Sequence, residues 1–409
     1  MKSYQHFAEK YAQLVVQSGV ALRKGQSLFI KTGIGTYEFA RMVAKQAYKG
    51  GALQVLIDID DPQLTKTRID CQSESELQEI PDFQKIIDYE MMVKDWAFVR
   101  IDNTEDRTWL SDADPSKLSA IRSAASRNSR LYRQSRMRHE HPWCVICAPG
   151  PVWARNVLGE KATEEELWDI LIPILRLDTD DPNQAWTNHS NTLMKRCSKL
   201  NDLHIKTLHF TGDKTDLTIG FRQEHRWFGG GDPLPNGTWF LPDIPTEEVF
   251  TVPDLSAVDG HVHTTRPVSV LDSLVEDVTL EFSHGLVTRC TARIGQELME
   301  RFLSIDDGAR RLGEVALVDE SSPLARSKRV FGSILYDENA SCHLALGAGY
   351  PSCLTHGSSL TTDAQLHEAG CNTSLVHTDF MVGSHQTNVS AITRDNIEVP
   401  IMVQGRFVI

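Results

Sequence analysis

SLFIKT (27–32), TYEFARMVAKQAYKGG (36–51) and ALQVLIDI (52–59) follow one another with only a short turn between the first two. The outer two are apolar runs of strand length without polar alternation, as in strands covered on both faces. The middle one reads as a helix ending in glycines, where a left-handed residue closes the last turn. Strand, helix and strand in this order form a βαβ unit, which places the two strands parallel. The pattern repeats downstream: SELQEIPDFQKIIDYEMMV (75–93) is helical, WAFVRI (96–101) a strand, and one long helix runs from Pro115 towards His139. WCVICA (143–148) and TEEELWDILIPILRL (163–177) add a strand and a helix. Upstream, MKSYQHFAEKYAQLVVQSGV (1–20) is an amphipathic helix with Phe7, Tyr11, Leu14 and Val15 on one face. The first part is therefore expected to be a doubly wound α/β domain with a mostly parallel sheet.

Past about residue 200 the texture changes. IKTLHFTG (205–212), TDLTIGF (215–221), EEVFTVP (247–253), DVTLEFSHG (277–285) and LVTRCTARIG (286–295) are strands with hairpin signals at Gly212-Asp213 and Ser283-His284-Gly285. QELMERFLSIDDGARRL (296–312) and DENASCHLALG (337–347) read as helices. The second part is expected to be an α+β domain with a mixed or antiparallel sheet. The boundary falls near residue 190, around AWTNHSNTLMKR (185–196), which gives domains 1–190 and 191–409.

A chain of 409 residues exceeds one ordinary core, in keeping with two domains. Its net charge of −13 argues against nucleic acid or an anionic membrane as the main partner. No signal peptide is visible, and no run approaches the roughly 18 apolar residues that span a bilayer. Eight scattered cysteines then read as reduced, mostly buried thiols of a cytosolic protein.

Several motifs fail on their own chemistry. Cys144 and Cys147 form a CxxC, but a zinc ribbon needs a second pair, and residues three apart on a strand face opposite sides. Gly33 and Gly35 begin a dinucleotide fingerprint that ends on Glu38, a carboxylate where the pyrophosphate turn requires glycine. Gly229, Gly230 and Gly231 lead into Asp232 and Pro233 with no Gly-Lys-Ser/Thr. The HxH of His261 and His263 lacks the barrel periodicity of amidohydrolases and reads as one exposed and one packed histidine.

The hard-cation donors gather in the second part. His377 and Asp379 stand two apart in an extended run, so imidazole and carboxylate share a face. His343 is placed on the helix expected to break at Gly347 and Gly349, with Tyr350 just beyond. Glu314 follows a glycine, and Glu247 and Glu248 open a strand. Each has an ordinary reading alone: a surface pair, a packed histidine, a solvated glutamate.

At these residues the chain resembles the aminopeptidase T/aminopeptidase S family of metallo-exopeptidases. The matching blocks are PTEEVFTVPD (245–254), DGARRLGEVALV (307–318), LYDENASCHLALGAGY (335–350) and VHTDFMVGS (376–384). YAQLVVQSGVALRKGQSLFIKT (11–32) and EFARMVAKQAYKGGALQV (38–55) extend the likeness to the N-terminal part. The resemblance implies metal ligands at Glu248, Glu314, His343, His377 and Asp379, with Tyr350 at the metal site. Glu247 competes with Glu248 for the ligand position and is otherwise the general base. The resemblance further implies two divalent ions (zinc, cobalt or manganese), peptide substrates with a free N-terminus, and a homodimer. The alternative is a mononuclear iron, ring-cleaving dioxygenase of the dihydroxypyridine type, which needs two histidines and one carboxylate. A non-catalytic relative is the third reading. HQTNVSAITRD (385–395) is less acidic than the family pattern, which leaves the preferred substrate open.

Overall fold

The computed structural model describes residues 4–102, 104–110, 112–271 and 273–409, so the first three residues of the expected N-terminal helix lie outside it. Two compact units are defined: Met1–Trp186 with Gly231–Ile244, and Thr187–Gly230 with Pro245–Ile409.

The first unit is built on the quoted βαβ core. Five parallel strands lie in the spatial order Val55–Asp60, Leu28–Gly33, Ala97–Asp102, Trp143–Cys147, Asp243–Ile244. Helix Tyr37–Lys49 buries Phe39, Ala40, Val43 and Ala47, a stripe that recurs every helical turn. The N-terminal helix Gln5–Leu14 continues into a wider turn, Val15–Gly19. Its Gly19 packs so closely that a Cβ there would lie 3.0 Å from Cys144 Sγ. Cys144 and Cys147 are buried on their strand and form no disulfide.

The helix expected over 75–93 is broken into Glu74–Leu77 and Asp82–Val93, the one over 296–312 ends at Leu303, and three further features differ from the sequence expectation. The long helix after Pro115 is two helices, Pro115–Asn128 and Arg130–Met137, separated at Ser129 where Asn and Ser weaken helix continuity. The fifth strand returns from 231–244, residues that a single boundary near residue 190 assigns to the second part. Two residues set in a glycine- and proline-rich stretch carry no strand signal of their own. Thirdly, DENASCHLALG is not one helix: Ile334–Glu338 is helical, and His343–Gly347 is a strand. The run HLALG alternates, with Leu344 and Leu346 on one face, and that two-residue period prevails over the helix propensity of leucine and alanine.

The second unit holds a larger and a smaller antiparallel sheet, besides the two-stranded ribbon of Val268–Val270 and Ser273–Val275. The larger has eight strands in the order Leu286–Thr291, Thr279–Ser283, Val258–His263, Thr215–Gly220, Ile205–Gly212, Asn388–Thr393, Glu398–Val403, Arg406–Phe407. The expected turn at His284-Gly285 takes left-handed dihedrals at both residues (φ 49° and 79°), which suits a two-residue hairpin. The smaller sheet orders Glu248–Thr251, Leu312–Val318, His343–Gly347 and His377–Met381. One face of it, formed by Val249, Val315, Leu317, Leu344, Leu346 and Phe380, enters a core shared with Leu208, Phe210 and Leu217 of the larger sheet.

Gly347 closes the His343 strand with φ 114°, and a Cβ there would lie 2.1 Å from the Val376 carbonyl oxygen. Gly347→Ala therefore combines backbone strain with a steric clash, and about 1–3 kcal/mol of unfolding free energy should be lost. Urea denaturation of the metal-free protein measures it; an unchanged midpoint would contradict the tight approach.

Candidate metal centre

The outward face of the four-stranded sheet collects the expected donors. Strand alternation sends Glu248, Glu314, His343, His377 and Asp379 to the side opposite the apolar core. Small residues stand between them in register. Ala345 pairs with Glu314 on one side and Asp379 on the other; Ala316 is opposite His343, and Gly347 opposite His377. A Cβ or a bare hydrogen at these positions lets the longer side chains lean together over the sheet.

The Glu314 strand has a bulge beside Leu312, where Gly313 is the extra residue. A Cβ on Gly313 would lie 2.4 Å from both the Gly347 and the Ala348 carbonyl oxygens. The glycine before Glu314 is thus required for close backbone approach.

Two groups of three donors result: Glu248, Glu314 and His343, and Glu314, His377 and Asp379. Glu314 belongs to both, and the two imidazoles fall into different groups. His343 Nε2 is 3.0 Å from Glu248 Oε2 and 3.9 Å from Glu314 Oε1. His377 Nε2 is 3.3 Å from Glu314 Oε2 and 3.6 Å from Asp379 Oδ1. Both imidazoles are fixed from behind. His343 Nδ1 donates to the Glu338 and Ser341 carbonyls at 3.0 and 3.1 Å, and His377 Nδ1 donates to the Ala348 carbonyl at 2.7 Å. With Nδ1–H engaged, each neutral ring turns the Nε2 lone pair toward the carboxylates, the orientation metal-binding histidines adopt.

The electrostatics demand a cation. Burial pushes the Glu314 carboxyl above its ordinary range; His377 opposes this, while Glu248 and Asp379 add to it. Burial alone would depress His343, but Glu248, Asp379 and Glu314 outweigh it and lift the ring to about 10. His377 is likewise depressed by burial and raised, net, to about 9 by Asp379, Glu314 and the Ala348 carbonyl. With the rings neutral, as in metal binding, Glu248 Oε2 and Asp379 Oδ1 are buried oxygens left without a hydrogen-bond donor. Buried carboxylate oxygens without donors are costly unless a positive charge meets them. The residues present therefore fit a divalent cation.

Tyr350 sets its ring edge-on to His377, 5.2 Å between centroids at 71°, and also packs on Phe250. Glu247 lies outside both triads. It is buried, its Oε2 is 3.3 Å from His189 Nε2, and its backbone N–H donates to Asn339 Oδ1. His189 has no motif around it that would mark it in the sequence. Of the HxH pair, His261 is exposed, while His263 is partly buried with Nδ1 2.9 Å from Thr279 Oγ1.

The match to known proteins is as extensive as the site is specific. The thermophilic metalloprotease (M29) family model covers residues 4–407, and the chain belongs to that family. It is thereby an enzyme of the metallopeptidase class, a metal-dependent hydrolase. It is 36% identical to aminopeptidase 2 of Geobacillus stearothermophilus, spanning 100% of this chain and 99% of that protein. It is 32% identical to aminopeptidase T of Thermus aquaticus over the full length of both. Its fold is that of wild-type AmpT from Thermus thermophilus, with a TM-score of 0.91 at 31% identity and complete coverage of both chains.

Because Ala345 separates Glu314 from Asp379, a branched side chain there should wedge the second triad open. Ala345→Leu is expected to cost about 1–3 kcal/mol of stability, and added zinc should raise the melting temperature of the native protein but not of the variant. Differential scanning fluorimetry with and without zinc reads both; a full zinc shift in the variant would exclude the wedge.

Proposed function

We propose that the chain is an aminopeptidase whose two triads would hold two divalent ions, with Glu314 as the ligand common to both. The sharing of Glu314 between both triads carries this reading. A mononuclear iron site would use His343, His377 and Asp379 and leave Glu248 and Glu314 without a purpose. Imidazole with carboxylate suits zinc, cobalt and manganese alike. Bound there, the ions would polarise the scissile carbonyl and lower the pKa of a water toward neutrality.

The chain's own residues do the positioning. Glu248 and His343 would hold one ion, His377 and Asp379 the other, and the backbone carbonyls behind each imidazole keep Nε2 aimed. Tyr350, edge-on to His377, is the candidate hydrogen-bond donor to the developing oxyanion. Glu247, oriented by His189, is the candidate proton acceptor. A free α-amine would anchor on an ion or a carboxylate of the centre, which limits cleavage to the first residue. Among the described residues no helix is long and apolar enough to cross a membrane. A cytosolic homodimer belongs to the same reading.

Chelation should abolish hydrolysis of a free-amine peptide, and zinc, cobalt or manganese should restore it, while the N-acetylated peptide resists throughout. Full activity of protein shown to be metal-free, or equal cleavage of the acetylated peptide, overturns the reading. Glu314→Gln should lose the shared carboxylate, dropping kcat by about 10³-fold, since several kcal/mol of transition-state stabilisation are at stake. Metal content of the variant by mass spectrometry should fall below that of the native protein; two ions retained per chain would refute the shared ligand.

A further inference from the structure

Two fully buried asparagines stand behind the two imidazoles, one to each. Asn339 follows the short helix Ile334–Glu338 and is wholly inaccessible to solvent. Its Nδ2 donates to the Leu335 carbonyl at 2.9 Å, and its Oδ1 accepts the Glu247 N–H at 2.7 Å. The preceding residue, Glu338, supplies a backbone carbonyl to His343 Nδ1–H. One amide thus ties the start of the Glu248 strand to the peptide that aims His343.

Asn372 does the same on the other side. It is buried, and its Nδ2 donates to the Gly347 carbonyl at 2.6 Å and the Gly308 carbonyl at 2.8 Å. Its own backbone carbonyl accepts the Gly349 N–H at 2.8 Å. Between those two anchored glycines lies Ala348, whose carbonyl receives His377 Nδ1–H. Removing either amide leaves a buried peptide group without its partner, and that group relaxes by moving. The imidazole bonded to the same short segment moves with it.

We propose that Asn339 and Asn372 are positioning residues with separate duties. Asn339 sets the metal affinity of the Glu248–Glu314–His343 triad, and Asn372 that of the Glu314–His377–Asp379 triad. The inference rests on the metal-centre reading above and adds to it that the affinities of the two sites are independently tunable from outside the ligand set.

The test is cobalt(II) titration of metal-free full-length protein in two backgrounds. His377→Ala leaves the His343 triad, and His343→Ala leaves the His377 triad. Asn339→Ala should weaken the ion remaining in the first background by about 10- to 100-fold and change the second by less than about 2-fold. Asn372→Ala should do the reverse. In otherwise native protein each alanine variant should keep one tight ion, and the double asparagine variant neither. Asn339→Ser and Asn372→Ser, smaller but polar, serve where an alanine variant does not fold. Equal weakening of both triads by one asparagine variant, or no weakening by either, overturns the assignment. Native protein that takes up no cobalt overturns the metal-centre reading and takes this inference with it.

Discussion

Three carboxylates brought together on one sheet face repel one another, and two of their oxygens have no donor other than the imidazoles. Such an arrangement is unfavourable in a low-dielectric setting unless positive charge is supplied. Without metal, the two histidines supply it by holding their protons well above the usual range. A divalent cation replaces those protons and more, so binding and deprotonation are two sides of one exchange. Much of the local architecture answers this demand: the bulge at Gly313, the small residues in register, and the carbonyls that fix Nδ1.

The face beneath serves a different need. Val249, Val315, Leu317, Leu344, Leu346 and Phe380 bury apolar surface against the larger sheet, which stiffens the platform from which the donors project. Each strand therefore alternates between stability and chemistry, residue by residue. A slip of register by one position would send the donors into the core and the leucines to the centre. Register precision here is a condition of function.

Legibility in the sequence followed the range of the interactions involved. His377 and Asp379 could be read as sharing a face because a period of two is a local property. The parallel sheet was readable from runs such as SLFIKT and ALQVLIDI for the same reason. His343 sits in a run whose leucine and alanine favour a helix locally, and its two-residue alternation prevails only once the Glu314 and His377 strands pair with it. The choice between Glu247 and Glu248 also depended on pairing: Glu248 begins the strand and joins the cluster, while Glu247 turns to His189. Asn339 lies in one of the matching blocks and Asn372 in none, and neither carries a signal of its own, since their value lies in which distant peptide groups they reach. The strand Asp243–Ile244 is too short to carry any periodic signal.

That short strand has a consequence for how the protein is made. It completes the first unit's sheet beside Trp143–Cys147, yet the chain between them is long and runs through the helix Pro182–Asp202. During synthesis the nascent first unit must wait with the edge of Trp143–Cys147 unpaired, an exposed row of backbone groups open to wrong partners. A fragment cut near residue 190 would keep that edge permanently open. The ribosome delivers a finished N-terminal unit only after the opening stretch of the second has already emerged.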